Sequence, residues 1–424
     1  MTLLAVFIAL VFFYSLVSGR IERTILTAPI VFTAAGFGCH LVMAEYHLQE
    51  GSQEVFLRLA EIGLVLLLFT DASRTDLRVL QNIRNLPARL LSTGLLLTLL
   101  LGTLGALVVF RHLTIWEAGI LAAILAPTDA GLGQIIVNSP LVPMKIRQAL
   151  NVEAGLNDGL SVPFLLFFIA LAGTGVESHG ARLWQFILEQ LGFGTLAGIG
   201  IGLIGGWLLG FAHRRKAVTE SWMQLGVVAV PLFCLVASEA VGVSMFIAAF
   251  LAGLAVQVGF KQAGQHSVDF AEEWGQLINL SVFFLFGLMV GRNWQNISLA
   301  HMVYASLSLT VVRMLPVAVA LIGTRLSLAT VLFMGWFGPR GLASIVLGLV
   351  YLEHGAQHPG ESTIRLAVMV TVLLSIFAHG LSAAPGIKLY AARLAALDAS
   401  APERQDAEAS RDESDGENTA RTRH

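Results

Sequence analysis

The chain consists of a succession of apolar runs, each long enough to cross a bilayer, separated by short polar segments. About 20 apolar residues in helical form span the hydrocarbon core of a membrane. Since only helices and closed barrels satisfy their backbone hydrogen bonds in lipid, runs of this length predict an all-α membrane protein with about 13 transmembrane helices. The predicted spans are residues 2–18, 24–43, 55–72, 87–110, 115–137, 147–173, 183–212, 219–237, 240–259, 275–291, 297–323, 326–351 and 362–385.

The composition agrees with a membrane protein. Charged residues make up 13% of the chain and hydrophobic residues 56%, whereas a soluble domain has about 25% charged residues. The formal net charge of −2 does not point to nucleic acid, and we predict no nucleic-acid partner. Cys39 and Cys234 both lie inside apolar runs, so neither a disulfide framework nor a metal-ligand cluster is visible. No cofactor is expected.

The basic residues between the spans predict the orientation of the chain. The loops and span ends on one side carry 13 Lys and Arg residues, and those on the other side carry 5. Because Lys and Arg are enriched in cytoplasmic loops, we expect an outside N-terminus and a cytoplasmic C-terminus, in the cell or inner membrane. The segment after Ala401 is acidic and has no apolar period, which predicts a disordered, solvated cytoplasmic tail.

The fifth span contains a helix-breaking sequence around an acid. Pro127 lacks an N–H group and disfavours a helical Ala126, and Gly131 follows shortly after. An interrupted membrane helix frees carbonyl groups and directs the partial charges of its half-helices towards one point. Thr128 and Asp129 lie at this break. We interpret them as ligands of a cation; a proline kink with a hydrogen-bonded aspartate is the alternative.

The sixth span carries two carboxylates within six residues. Glu153 and Asn157 share a helix face, and Asp158 follows at about 100° around the helix. A charge at this depth is costly and usually marks an ion path or an ion pair. A buried carboxylate binds a proton more tightly than one in water, so a proton and a cation can compete for Asp158. A structural polar cluster is the alternative. Asp71, near the end of the third span, is interpreted as a helix-end residue.

Two arginines lie deep within late spans. Arg313 is in the middle of span eleven, and Arg340 lies in a second Gly/Pro interruption, Phe337–Gly341, in span twelve. Each needs an acid or the C-terminal end of a helix as a partner. We expect Arg313 to form a structural ion pair with Glu153 and Arg340 to offset negative helix ends at a crossing, although the sequence also permits the opposite assignment.

The two interruptions fall at matching places in the chain. Each lies in the fifth of six spans, which predicts two inverted six-helix repeats with broken, crossing helices. The segments 126–129, 153–158 and 338–341 resemble three motifs of the monovalent cation/proton antiporter superfamily, closely its NhaP and NHE-like branch. The span count and spacing extend this resemblance over about residues 1–390. Asn157-Asp158 in place of Asp-Asp is similar to the electroneutral branch, which implies one cation per proton.

The resemblance also implies a homodimer divided into two kinds of segment. In it, Asp158 exchanges ion and proton, Asp129 and Thr128 help coordinate the cation, and Asn157 holds the geometry. Relatives often have Ser where this chain has Ala154, which leaves the choice of sodium, potassium or lithium open. The implied division is a dimerisation side at 1–86, core helices at 87–174, a linker with further dimerisation-side helices at 175–294, core helices at 295–388 and the tail at 389–424.

Other classes of function fit the sequence less well. No nucleophile beside a base, no metalloprotease spacing and no P-loop is visible, so we do not expect an enzyme or an ATP-driven pump. A cation channel and a cation sensor that signals through its tail are the rival interpretations. The predicted function is secondary exchange of a monovalent cation for a proton across a lipid membrane by alternating access.

Overall fold

The structure, a computed structural model, describes residues 2–21, 24–42, 52–74, 85–173, 180–260, 264–354, 359–397 and 403. Throughout these ranges the regular structure is helical, and the helices follow the predicted spans in order. They are α1 (Thr2–Ile21), α2 (Ala28–Val42), α3 (Ser52–Arg74), α4 (Asn85–Val109), α5a (Ile115–Ile124), α5b (Ala130–Val137), α6 (Met144–Gly173), α7 (Gly180–Arg214), α8 (Glu220–Val241), α9 (Met245–Gly259), α10 (Gly264–Asn293), α11a (Leu299–Leu309), α11b (Val311–Ala320), α12a (Leu328–Trp336), α12b (Leu342–His354) and α13 (Glu361–Ala395).

The surface of the bundle is that of a multi-pass membrane protein. Within the described ranges, eight helices are long and apolar enough to cross a bilayer, and four shorter helices are also apolar. Large apolar side chains such as Phe12 on α1, Leu100 on α4 and Trp207 on α7 are more than half exposed. Apolar faces of this extent would be a liability in water, whereas in a bilayer they contact lipid chains.

The predicted broken helices are confirmed. Helix α5 is interrupted between Ile124 and Ala130, and α12 is interrupted between Trp336 and Leu342. The two interruptions meet, since the backbone N–H of Asp129 donates to the carbonyl of Pro339 at 2.8 Å. A pair of half-helices from each repeat therefore points its ends at one place inside the bundle.

Small residues bring α7 and α9 into close contact. Gly198, Gly202, Gly206 and Gly210 recur every fourth residue along α7. A Cβ atom at any of them would lie within 2.5 Å of a backbone carbonyl oxygen of the facing α9 chain. Such stripes let two membrane helices approach until their backbones touch, which provides packing energy that lipid cannot supply.

Some features differ from the sequence expectations. Helix α11 is divided at Thr310, and α4 contains a π-helical turn at Leu90–Gly94. Helix α13 continues to Ala395, so the predicted boundary at 388 is too early and part of the predicted tail at 389–424 is helical. Glu403 is buried, at 2% exposure, where a solvated tail was expected. The rest of the tail, 398–402 and 404–424, lies outside the described residues.

Candidate ion site at the helix crossing

The broken α5 supplies the first acid of the site. Asp129 is the N-cap of α5b, and its Oδ1 accepts hydrogen bonds from the backbone N–H groups of Gly131 at 2.7 Å and Leu132 at 3.2 Å. An aspartate in this position satisfies N–H groups that have no partner within the helix. The sequence forms the cap here because Pro127 ends the regular hydrogen bonding just before it.

The same carboxylate reaches the second broken helix. Oδ2 of Asp129 accepts a hydrogen bond from the backbone N–H of Leu342, the first residue of α12b, at 2.5 Å. A Cβ atom at Gly341 would lie 1.9 Å from this oxygen, so the approach requires glycine. One side chain therefore closes the N-termini of two half-helices that belong to different repeats.

Thr128 and Asn157 form a reciprocal pair between α5 and α6. The backbone N–H of Thr128 donates to Oδ1 of Asn157 at 3.2 Å, and Nδ2 of Asn157 donates to Oγ1 of Thr128 at 2.8 Å. Both side chains are buried. The pair fixes the α5 interruption against α6 immediately beside Asp158.

Asp158 has an incompletely bonded carboxylate. It is 4% exposed, and its Oδ1 accepts no hydrogen bond from any group in the described part of the chain. It interacts electrostatically with Asp129 and Asp71 and with the guanidinium of Arg340. A bare buried charge is unfavourable, so a proton or a cation bound to this carboxylate stabilises it.

Asp71 lies at a helix end, as interpreted from the sequence, but it also belongs to the surroundings of the site, which was not predicted. It lies in the last turn of α3 and interacts with Glu272 and Arg74 on its own side of the bundle and with Asp129 across it. The signal was an acid directly after a long apolar run, but the basic stretch that follows favoured a surface position. The structure thus brings a third carboxylate towards Asp129 and Asp158.

Glu153 pairs with Arg313, which decides between the two assignments that the sequence left open. The two guanidinium nitrogens of Arg313 each bind one carboxylate oxygen of Glu153, and the Nη2 to Oε2 distance is 2.9 Å. Both residues are buried. A Cβ atom at Gly338 would lie 2.2 Å from Nε of Arg313, so this glycine makes room for the guanidinium. The pair links α6 to α11b.

Arg340 takes the role of offsetting a negative helix end at the crossing. It is completely buried, and its Nη1 donates to the carbonyls of Ala126 and Pro127, the latter at 2.8 Å. These carbonyls follow α5a, where the helix leaves acceptors without partners and carries a partial negative charge. The backbone N–H of Arg340 donates to Oγ of Ser375 on α13 at 2.6 Å. The arginine therefore neutralises the C-terminal end of α5a, whereas Asp129 caps the N-terminal end of α5b.

A small cavity adjoins the crossing. It holds about 20 Å³, which is room for a water-sized group, and its lining includes Thr128, Asp129, Glu153 and Ala154. The lining thus combines residues with side-chain oxygens and an alanine. Carboxylate and hydroxyl oxygens are the kind of ligand that hard cations prefer.

Comparison with known proteins identifies the family. The family described as "Sodium/hydrogen exchanger, transmembrane" matches residues 2–388. The chain belongs to the sodium/hydrogen exchanger family. The prediction of a cation/proton antiporter family from the three motifs is confirmed, and the site described above lies within the matched region.

Relatives of this exchanger family member include sodium and potassium antiporters. A probable Na+/H+ antiporter of Schizosaccharomyces pombe is 27% identical over 56% of this chain and 34% of its own length. The K+/H+ antiporter NhaP2 of Shewanella sp. strain MR-4 is 25% identical over 65% of this chain and 47% of its own length. The chain thus spans about a third to a half of these two relatives.

The fold of this exchanger family member is also similar to a solved structure. The sodium proton antiporter MjNhaP1 from Methanocaldococcus jannaschii at pH 8 superposes with a TM-score of 0.75 and 18% sequence identity. The match covers 93% of this chain and 98% of the other. The similarity confirms the all-α fold with broken, crossing helices.

Proposed function

We propose that the protein is a secondary antiporter that exchanges a monovalent cation, sodium or potassium, for a proton. The observation that carries the proposal is the buried Asp158 carboxylate with an unbonded oxygen, next to oxygen donors at a helix crossing. Such a carboxylate binds a proton or a cation in turn, which couples the two fluxes. Family membership and the names of the relatives support the same function.

The roles of the neighbouring side chains follow from their contacts. Thr128 and Asp129 provide cation ligands, since Oγ1 of Thr128 and Oδ2 of Asp129 each accept one hydrogen bond and retain a further lone pair. Asn157 holds Thr128 in place through its two hydrogen bonds. Because a single exchanging carboxylate carries either one cation or one proton, we propose an electroneutral one-to-one stoichiometry. The Glu153–Arg313 pair contributes structure rather than transport.

Alternating access requires that one part of the molecule moves against another. We assign α4–α6 and α11–α13 to a moving core and α1–α3 with α7–α10 to a static part that forms a homodimer. The ion site lies entirely on core helices, whereas Asp71 and Glu272 lie on the static part. The excess of basic residues on one side supports a cytoplasmic C-terminus in the cell membrane.

The direct test is proton movement in vesicles that contain the purified protein and a pH-sensitive dye. We expect Asp158→Asn to reduce cation-driven proton movement to the level of empty vesicles, because an amide cannot exchange a proton for a cation. Glu239→Gln, at a half-exposed acid paired with Arg58 outside the site, serves as the control and retains exchange. Exchange at the normal rate in Asp158→Asn would remove this residue from the mechanism.

The same vesicles separate antiport from its rivals. A one-to-one exchanger responds to cation gradients equally well with and without an imposed membrane potential. A cation channel moves cation without proton counterflow, and a sensor moves neither. Exchange that is strongly driven by voltage would contradict the proposed stoichiometry.

A further inference from the structure

Each broken helix has a first half, α5a in one repeat and α12a in the other, and both begin with a side-chain cap. The cap of α5a is complete. Oγ1 of Thr114 accepts the backbone N–H of Glu117 at 3.2 Å, and Oε2 of Glu117 accepts the backbone N–H of Thr114 at 2.8 Å. This is a capping box, in which a hydroxyl residue and an acid three residues later satisfy each other's backbone donors. Oε1 of Glu117 also accepts the N–H of Gly360, directly before α13, at 2.8 Å.

The corresponding half-helix of the second repeat, α12a, has only half of this cap within its own sequence. Oγ of Ser327 accepts the backbone N–H of Thr330 at 3.2 Å. The residue three positions after Ser327 is threonine, whereas α5a has glutamate there. A threonine side chain is too short to return to the N–H of Ser327, so that donor needs an acceptor from elsewhere.

Glu403, far along the chain, provides this acceptor. Its Oε1 accepts the backbone N–H of Ser327 at 2.6 Å and the hydroxyl of Thr330 at 3.0 Å. The side chain is 2% exposed, so the contact is a buried one. The carboxylate also lies at the positive end of the α12a dipole, where an anion is favourable.

We propose that Glu403, which is distant in the sequence, completes the α12a capping box and thereby acts as a positioning residue for the ion site. The acid that α5a carries as Glu117 is supplied to α12a from beyond α13. Glu403 thus has a docking point on the half-helix that leads into the crossing.

The route from Glu403 to the site runs along α12a. The hydroxyl of Tyr390 bonds Thr330 at 2.9 Å near the start of the helix, and Nε1 of Trp336 donates to Oγ of Ser382 at 2.9 Å at its end. Helix α12a is therefore fastened to α13 at both ends. It continues directly into the Phe337–Gly341 interruption, whose next N–H binds Asp129. Loosening the first turn of α12a releases one of the anchors of that interruption.

Two truncated chains isolate the contact. One ends at Arg404 and retains Glu403, and the other ends at Pro402 and lacks it. We expect amide hydrogen exchange at Ser327 to be unchanged in the first and about tenfold faster in the second, the factor that corresponds to losing one hydrogen bond to a charged group. The apparent KM for the cation should rise severalfold in the shorter chain only.

Point variants keep the test decisive if the shorter chain does not fold. Glu403→Gln retains the acceptor and should keep both Ser327 protection and KM near the unmodified values, whereas Glu403→Ala should lose both. Unchanged Ser327 protection in Glu403→Ala, or equal defects in the two truncated chains, would overturn the proposal. The KM readout rests on the proposed antiport, but amide exchange does not, so failure of antiport alone leaves the capping test intact.

Discussion

At the residue scale, Asp129 and Arg340 bring opposite charges into the same crossing, and each is bonded to backbone groups. Asp129 accepts three N–H groups at helix starts, and Arg340 donates to two carbonyls at a helix end. Interrupting two helices leaves both N–H and carbonyl groups without partners. The chain supplies an aspartate to the N–H groups and an arginine to the carbonyls. Asp158, whose Oδ1 lacks such a bond among the described residues, is the carboxylate to which we assign the exchange of ion and proton.

The contact between Gly341 and Asp129 gives a residue-scale prediction. Gly341→Ala adds a methyl group where only 1.9 Å separates the Cβ position from Oδ2 of Asp129, so the carboxylate must shift. We expect a loss of exchange of about tenfold or more, because displacement of a ligand group by about 1 Å has large effects. Vesicle proton flux measures it. Gly200→Ala, on α7 with open space at its Cβ position, is the matched control; an equal loss there would contradict the explanation.

The buried Glu153–Arg313 pair gives a second residue-scale prediction. Glu153→Ala leaves an uncompensated buried guanidinium, which costs about 3–5 kcal/mol of stability. The double variant Glu153→Leu/Arg313→Met removes both charges and should recover most of the loss. Thermal unfolding in detergent measures both. A stable Glu153→Ala protein that no longer distinguishes cations would instead place Glu153 among the ion ligands.

At the element scale, the breaks in α5 and α12 were predictable because Pro127 and the Gly338–Gly341 motif weaken helices locally. The division of α11 at Thr310 was not, since neither Leu309 nor Val311 beside it favours a break. The π-helical turn of α4 packs against α11b, so tertiary packing governs this pair of irregularities. The bond from Asp129 to Leu342 joins residues 213 positions apart, and no local pattern encodes such a pairing.

The glycine stripe of α7 supports an element-scale prediction. Gly206→Val introduces a side chain where a Cβ atom already lies 2.4 Å from the carbonyl oxygen of Val256 on α9. The helices must separate, at a cost of about 1–3 kcal/mol, and the melting temperature in detergent should fall. Gly200→Val adds the same side chain to α7 at a position with open space and should melt near the unmodified protein.

At the scale of the whole molecule, a polar seam joins the two proposed parts beside the ion site. Arg74 on α3 binds Asp269 and Glu272 on α10, so this cluster lies within the static part. Nε2 of Gln134 on α5b donates to Oε1 of Glu272 at 3.3 Å and crosses to the core. Relative motion of the two proposed parts has to break the contact between Gln134 and Glu272, and it leaves the contacts of Arg74 in place.

Cross-linking tests that motion. In a variant with Cys39 and Cys234 replaced by serine, Gln134→Cys/Glu272→Cys joined by a short cleavable thiol linker should stop vesicle exchange, and cleavage should restore it. The control pair Arg74→Cys/Asp269→Cys, joined by the same linker within one part, should continue to exchange. Full-rate exchange in the first cross-linked protein would argue against a moving core.

The double attachment of Asp129 limits how an ion can cross. A side chain that holds the starts of α5b and α12b at once cannot swing between the two membrane faces without unravelling both. In the proposed antiport, the ion site would therefore have to change its access from one membrane face to the other through a joint movement of the helices that Asp129 holds together.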